Sequence, residues 1–211
     1  RAMVSECMIM ANEAAARYLQ EHELPAVYIS QPPPDSTLPN RAALPTRQTY
    51  VHATRRLMNP SSISTMPERH SALGVPSYTQ VTSPLRRYVD LQMHHQIKHH
   101  LATRQSLFHE SQLQIVAASV QPAIADARKC ERERVRFWLL RLMEEQQGNV
   151  VQGQVIREHH RRAFVELADT LLIAPINNQP EVRLGSSVEV RINHVDARKD
   201  LLSIRLVGTQ T

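Results

Sequence analysis

Apolar positions recur every three or four residues up to Gln147 and alternate with polar ones from Val150 onward, so a helical segment precedes a run of short strands. Val4, Cys7, Met8, Ala11, Ala15, Tyr18 and Leu19 share one stripe of a helix expected over about Met3–Glu21. An extended piece, Ala26–Ile29, runs into Gln31-Pro32-Pro33-Pro34-Asp35, where consecutive prolines exclude helix. Residues 35–69 are polar and proline-punctuated, with a helix expected near Thr46–Met58. Two further helices are expected, over Pro84–Thr103 and Glu110–Gln147. The second carries Leu113, Val116, Val120, Ile124, Ala127, Val135, Trp138 and Leu142 on one stripe, with Pro122 to kink or divide it. Strands are expected over Val150–Ile156, Ala163–Leu167, Leu171–Ile173, Ser187–Ile192 and Leu201–Leu206. Five strands in so short a stretch suit an OB-type barrel or another small five-stranded barrel. The expected fold class is α+β: a mainly helical part over residues 1–147 and a small barrel over 148–211.

Composition narrows the partners. The chain has 211 residues, 42% hydrophobic but only 4% aromatic. No apolar run approaches the ~20 residues of a membrane span, and nothing resembles a signal peptide, so no membrane partner is expected. Cys7 and Cys130 lie far apart on apolar helix faces and read as buried thiols of a reducing compartment. The net charge is +5; residues 1–149 hold 17 Lys and Arg against 13 Asp and Glu, and residues 150–211 hold 8 against 7. This basic excess fits a nucleic-acid partner, and the dominance of arginine favours bidentate phosphate contacts.

The most telling stretch is Thr82-Ser83-Pro84-Leu85-Arg86-Arg87-Tyr88. Ser83 suits an N-cap and Pro84 the first helical position, which places Arg86 and Arg87 in a first turn where the macrodipole is already positive. An anion on that helix end would remove the penalty, because free N–H groups and two guanidinium groups would hold it. The plain alternative is a surface ion-pair ladder, since Asp90 stands three residues after Arg87 and four after Arg86. His94, His95, His99 and His100 allow i,i+4 or i,i+5 metal pairs, but no carboxylate or cysteine completes a ligand set, and a solvated helix face is preferred. Trp138 is assigned to the core by default. In the barrel, Phe164 is the only aromatic ring apart from histidines, so stacking of bases rests on it with His159, His160 or His194.

Taken together, the segment from Tyr78 to Leu91, followed by His94, resembles the signature near the end of the catalytic domain of ribonuclease II/R exoribonucleases. His70, Leu73 and Gly74 match its H-x-x-L-G lead-in. Glu6, Met8, Ala11 and Asn12 are similar to that family's E-x-M-x-x-A-N helix, and Tyr28, Gln31 and Pro33 fit the strand and turn that follow, most like cyanobacterial or plastid members. The helix bearing Trp138 and the strands after Gly148 resemble the family's exit helix and its C-terminal ribosomal-protein-type OB domain. The resemblance implies the C-terminal half of an RNB catalytic domain over 1–147 and an OB-fold RNA-binding domain over 148–211. It implies processive 3′-to-5′ hydrolysis of single-stranded RNA to nucleoside monophosphates, with magnesium activating the water. In this family an aspartate cluster binds the metal upstream of the Glu6 helix, and no closely spaced aspartates occur here. The expected metal-ligand set in this chain is therefore none, the chain alone is expected to be inactive, and the missing N-terminal half of the same protein is an expected partner. Arg86 is expected to grip phosphate at the reacting 3′ end, with Arg87, Glu6, Ser83, Tyr78 and Phe164 contacting RNA. Arg132 falls near the family's exit-helix glutamate, and Ile29 stands where many members carry arginine. A cytoplasmic location is implied, or a plastid one in a plant. Two alternatives stay open: a non-catalytic RNA-binding protein, and a fragment that binds a protein partner.

Overall fold

In the computed structural model of the chain, residues 2–177 and 182–210 are described. Four α-helices and seven strands occur among them: α1 (Ala2–Glu21), β1 (Tyr28–Ser30), α2 (Arg47–Leu57), β2 (Ser62–Ser64), α3 (Tyr88–Thr103), α4 (Glu110–Glu144), β3 (Val150–His159), β4 (Arg162–Leu167), β5 (Ile173–Asn177), β6 (Ser187–Asp196) and β7 (Leu201–Gln210). They fall into two compact units, one of residues 1–35 and 58–127, the other of residues 36–57 and 128–211. The barrel therefore shares its unit with α2 and the second part of α4, beyond the expected 148–211 span.

The first unit is built on α1, α3 and the first part of α4. Ala16 and Leu19 pack with Val27, Val89, Met93, Leu113 and Ala117. Beside them β1 and β2 pair antiparallel, Ile29 opposite Ile63. The buried face of α1 is Asn12, Ala16 and Leu19, while Met3, Val4 and Met10 are exposed. The expected stripe through Val4, Cys7 and Ala11 is thus corrected by rotation about the helix axis, and both Cys7 and Cys130 are exposed free thiols, not buried ones. Asn12 decides the rotation. Its amide donates to Tyr78 Oη at 2.8 Å and accepts from Val81 N–H at 2.8 Å, so a polar side chain is buried with its groups satisfied. Gln96 does similar work on α3: Nε2 donates to Pro25 O at 2.8 Å, and Oε1 accepts from the N–H groups of Leu107 and Phe108.

Of the four histidines of α3, His95 is exposed, but His94 and His100 are engaged inside the fold. His94 Nε2 lies 2.6 Å from Val81 O, and the buried His100 places Nδ1 2.8 Å from Tyr18 Oη beside the ring of His22. Burial lowers the pKa of His100 from 6.5, aided by the charges of His22 and Arg104. Burial likewise lowers His70, against its own backbone hydrogen bond. A histidine whose folded-state pKa is depressed holds its full stabilising contribution above the unfolded value of 6.5 and loses it as pH falls below, because the unfolded chain then binds more protons. Thermal melts at falling pH are expected to show the midpoint dropping below pH 6.5. The drop is smaller in His100→Gln, and identical curves for the two proteins refute the role of His100.

The second unit is a five-stranded antiparallel sheet in the order β5-β4-β3-β6-β7, with β5 and β7 adjacent, which nearly closes it into an OB-type barrel. The long strand β3 pairs with β6 through Val150–Gln154 and with β4 through Gly153–His159, bending at a bulge between Val155 and Arg157. Val155, Val165, Val188, Val190 and Ile192 alternate inward to fill the interior. Gly153 permits the tightest strand approach, since a Cβ there would stand 2.4 Å from Val165 Cγ1. The third expected strand is shifted: Leu171 has φ of 57° in the connection after β4, and β5 starts at Ile173. The helix α2 lies against β3, where Thr46 Oγ1 donates to Gln154 Oε1 at 3.1 Å. Around this contact a Cβ at Gly185, which has φ of +85°, would meet Pro45 Cγ at 2.5 Å.

The helix α4 runs unbroken through Pro122. Its second part packs on the barrel with Phe137, Leu139, Leu140 and Met143, not with the expected stripe. Val135, Leu142 and Trp138 are exposed, Trp138 by 56%. Two apolar stripes compete on this stretch of helix, and the barrel buries the one centred on Leu140 and Met143.

Candidate functional site

The chain enters the site from Tyr78, which is buried with Ile29 and Val75 and stacks edge-on against His70. Tyr78 O accepts from Ile29 N–H at 2.8 Å, and Thr79 Oγ1 donates to Val27 O at 2.6 Å. Val81 is held from both sides by Asn12 and His94. The next residues form a turn, not the start of α3: Ser83 O accepts from Arg86 N–H at 3.2 Å and from Arg87 N–H at 3.0 Å. Arg87 is extended, with φ −124° and ψ 115°, and is the N-cap residue of α3. The expected helix start at Ser83–Pro84 is corrected accordingly, and the two arginines leave the helix's first turn.

Asp90 explains the correction. It lies in the first turn of α3, fully buried, where a carboxylate suits the macrodipole. Its Oδ2 accepts from Ser83 N–H at 2.8 Å and from Arg87 Nη2 at 2.8 Å, and Arg87 Nη2 also donates to Thr82 Oγ1 at 3.2 Å. The carboxylate thus pulls the preceding turn back over the helix end. Leu85 and Arg86 are left at the tip, Leu85 fully exposed. Arg86 is exposed, and its guanidinium has no hydrogen-bond or ion-pair partner among the described residues. Beside the turn lies a largely apolar hollow of about 410 Å³, lined by Ile29, Ile63, Val89, Val120 and Ile124, with Arg86 and Arg87 at its polar edge.

Residues 1–103 match the family model of the RNB domain. A ribonuclease of the cyanobacterium Synechocystis is 32% identical over 97% of the chain and 31% of its own length. The chloroplastic/mitochondrial ribonuclease II of Arabidopsis thaliana is 30% identical over 97% of the chain and 26% of its own length. This chain belongs to the ribonuclease II/R family. It spans between a quarter and a third of those two relatives. Among solved structures, ribonuclease R of Mycoplasma genitalium superposes with a TM-score of 0.81 in its apo form and 0.80 in complex with ribose-methylated single-stranded RNA. That likeness, at 18% identity over 97% of the chain and 41% of the other, is one of fold.

The ribonuclease II/R signature of this chain can now be divided by what its residues touch. Arg86, Ser83 and Arg87 are brought into one turn, with Tyr78 beneath it in the core, where its hydroxyl is taken by Asn12. Tyr78 therefore supports the turn and is not exposed to a ligand. Glu6 lies exposed on α1, six residues and about 9 Å of helix axis before Asn12. Phe164 belongs to the other unit. It is half-buried on β4, and Arg157 Cζ lies 3.6 Å over its ring centroid, so a guanidinium already covers one face. Around Arg157 stand the basic side chains of α2: the pKa of His52 is lowered first by burial, then by Arg157, Arg56 and Arg55. This basic group escaped the sequence reading because its members lie a hundred residues apart, on a helix with no motif. Asn12, Asp90 and His94 were legible as motif letters, but their use as the clamps of one turn was not.

Proposed function

We propose that the chain is part of a 3′-to-5′ exoribonuclease that hydrolyses single-stranded RNA processively to nucleoside monophosphates, and that Arg86 grips phosphate at the RNA 3′ end. The observation that carries this reading is a partnerless guanidinium held on a turn whose neighbours are bonded down by Asn12, His94 and Asp90. A preorganised cation of this kind stabilises charge that develops on a transferring phosphoryl group without having to reorganise. Ser83 lines the same turn, and Arg87, being paired with Asp90, serves as a positioning residue. Glu6 is assigned to the terminal nucleotides as an acceptor for ribose hydroxyls. The barrel is assigned to RNA binding, with Phe164 stacking on its free face and Arg157, Arg55 and Arg56 meeting phosphates.

No three His, Cys, Asp or Glu side chains gather as metal ligands among the described residues. The described residues offer no ligand set for a magnesium ion. Any metal-dependent activation of water is assigned to the remainder of the protein, whose surface would also cover the exposed Met3, Val4 and Met10 of α1.

The test is an assay of the longer protein on 5′-labelled single-stranded RNA, alongside the 211-residue chain alone. The longer protein is expected to shorten the label stepwise from the 3′ end and release mononucleotides, while this chain binds the RNA without cleaving it. Internal cleavage by the longer protein, or no RNA binding by either, overturns the reading.

A further inference from the structure

The face of α4 that turns away from the barrel has an unusual make-up. Opposite Leu140 and Met143, Trp138 stands 56% exposed, with the exposed Val135 and Leu142 on the same stripe. One turn before it, Arg134 places its guanidinium carbon 5.2 Å from the Trp138 ring centroid and 5.8 Å from that of Phe137. Between Arg128 and Arg141 the helix carries six basic and two acidic residues, a surplus of four in a chain whose total is +5. Arg136 is paired with Asp200 at 2.5 Å, Lys129 approaches Glu133 at 4.0 Å, and Arg141 meets Glu144. Arg128, Arg132 and Arg134 have no carboxylate partner among the described residues.

An exposed indole is costly in water, and the unpaired guanidinium groups of Arg128 and Arg134 on its side of the helix lack counter-charges. One class of ligand relieves both: a flexible polyanion that carries flat apolar rings. Resting on the RNA-binding reading above, we infer that the outer face of α4 around Trp138 is a second single-strand RNA contact, with a base stacked on the indole and phosphates held by Arg128 and Arg134. Bases stack on indole and guanidinium planes alike, and such stacking does not depend on sequence. The helix rise sets Arg128 and Arg134 about 9 Å apart along the axis, with Trp138 about 6 Å beyond Arg134, so the strand would track along the helix. A protein partner for this face would need an acidic apolar patch, and that alternative is an outcome of the test.

Trp138 is the only tryptophan of the chain, so its emission reports this face alone. Titrating the 211-residue chain with a single-stranded oligoadenylate is expected to quench Trp138 fluorescence and to release the quench with added salt. Measured with a labelled oligoribonucleotide, Trp138→Ala is expected to weaken binding about five- to 150-fold. Arg134→Glu is expected to weaken it and to flatten the salt dependence by about one phosphate contact. Both side chains project to solvent, and far-ultraviolet circular dichroism checks that each variant is folded. RNA that binds wild type and both variants equally, with Trp138 emission unchanged, overturns this contact and leaves the RNA-binding reading standing. No RNA binding by the wild-type chain overturns that reading as well. Concentration-dependent self-association that Trp138→Ala abolishes, with RNA affinity untouched, overturns the contact in favour of a protein interface.

Discussion

Replacing Arg86 by alanine in the longer protein is expected to lower the rate of RNA hydrolysis about 10²–10³-fold and to leave RNA affinity within a fewfold of wild type. The asymmetry follows from the geometry. On the proposed reading Arg86 is one cation among many that would meet the RNA backbone, so its share of ground-state binding is expected to be small. At the turn tip it has nothing else to bond, so its whole donor set is available to charge that forms in the transition state. An interaction made mainly in the transition state appears in kcat and not in KM. Arg86→Lys keeps the charge and loses the planar fork, and its rate should fall between those of the wild type and the alanine variant. Leu85, its fully exposed neighbour, supplies the control: Leu85→Ala removes no donor. Single-turnover rates and filter-binding affinities for the three variants decide the matter, and an Arg86→Ala enzyme with unchanged turnover removes Arg86 from the chemistry.

Asp90→Ala has the largest effect expected on stability. The carboxylate is fully buried, and it is the common acceptor for Ser83 N–H and the Arg87 guanidinium. Removing it leaves a buried backbone donor and a three-quarters-buried cation without a partner, a loss on the order of 3–5 kcal/mol. Asp90→Asn should cost less, because its amide oxygen still accepts from Ser83 while the charge on Arg87 goes unanswered. Urea unfolding of the 211-residue chain measures both. The double variant Arg87→Met/Asp90→Ala should recover part of the loss, as an apolar pair replaces an ionic one. A single Asp90→Ala variant as stable as wild type would mean that the turn is held by something else. In the longer protein the same Asp90→Asn change should slow hydrolysis, since it frees the turn that aims Arg86.

What was legible in the sequence and what was not follow one division. Helices and strands with a clean period were placed within a few residues: α1, α2, α4 and the five barrel strands, apart from β5, whose start is set by the positive φ of Leu171. The start of α3 was misplaced because Ser83-Pro84 is an equally good opening for a turn. Choosing between turn and helix needed the partner of Asp90, which lies beyond the local window. Which stripe of α4 is buried was undetermined for a related reason: Trp138 and Leu140 both recur at helical spacing, and only the barrel selects between them. The arginine at the tip was legible because its motif is short and contiguous. The clamps were not, since Asn12 and His94 converge on Val81 from two helices that the sequence keeps 82 residues apart.

The contact of α2 with β3 has a consequence for how the protein is made. Thr46 and Gln154 are 108 residues apart in sequence. At a synthesis rate of about 5–20 residues per second, α2 leaves the ribosome roughly 5–20 s before the strand it rests on. During that interval an amphipathic helix rich in arginine is exposed before the strand that covers it has been made, a period in which chaperones or RNA can occupy it. The barrel, for its part, emerges after α2 and Pro45, which are already waiting for it. A domain cut at residue 148 for separate expression would begin life without that neighbour, and Gly185 would face water where it now meets Pro45.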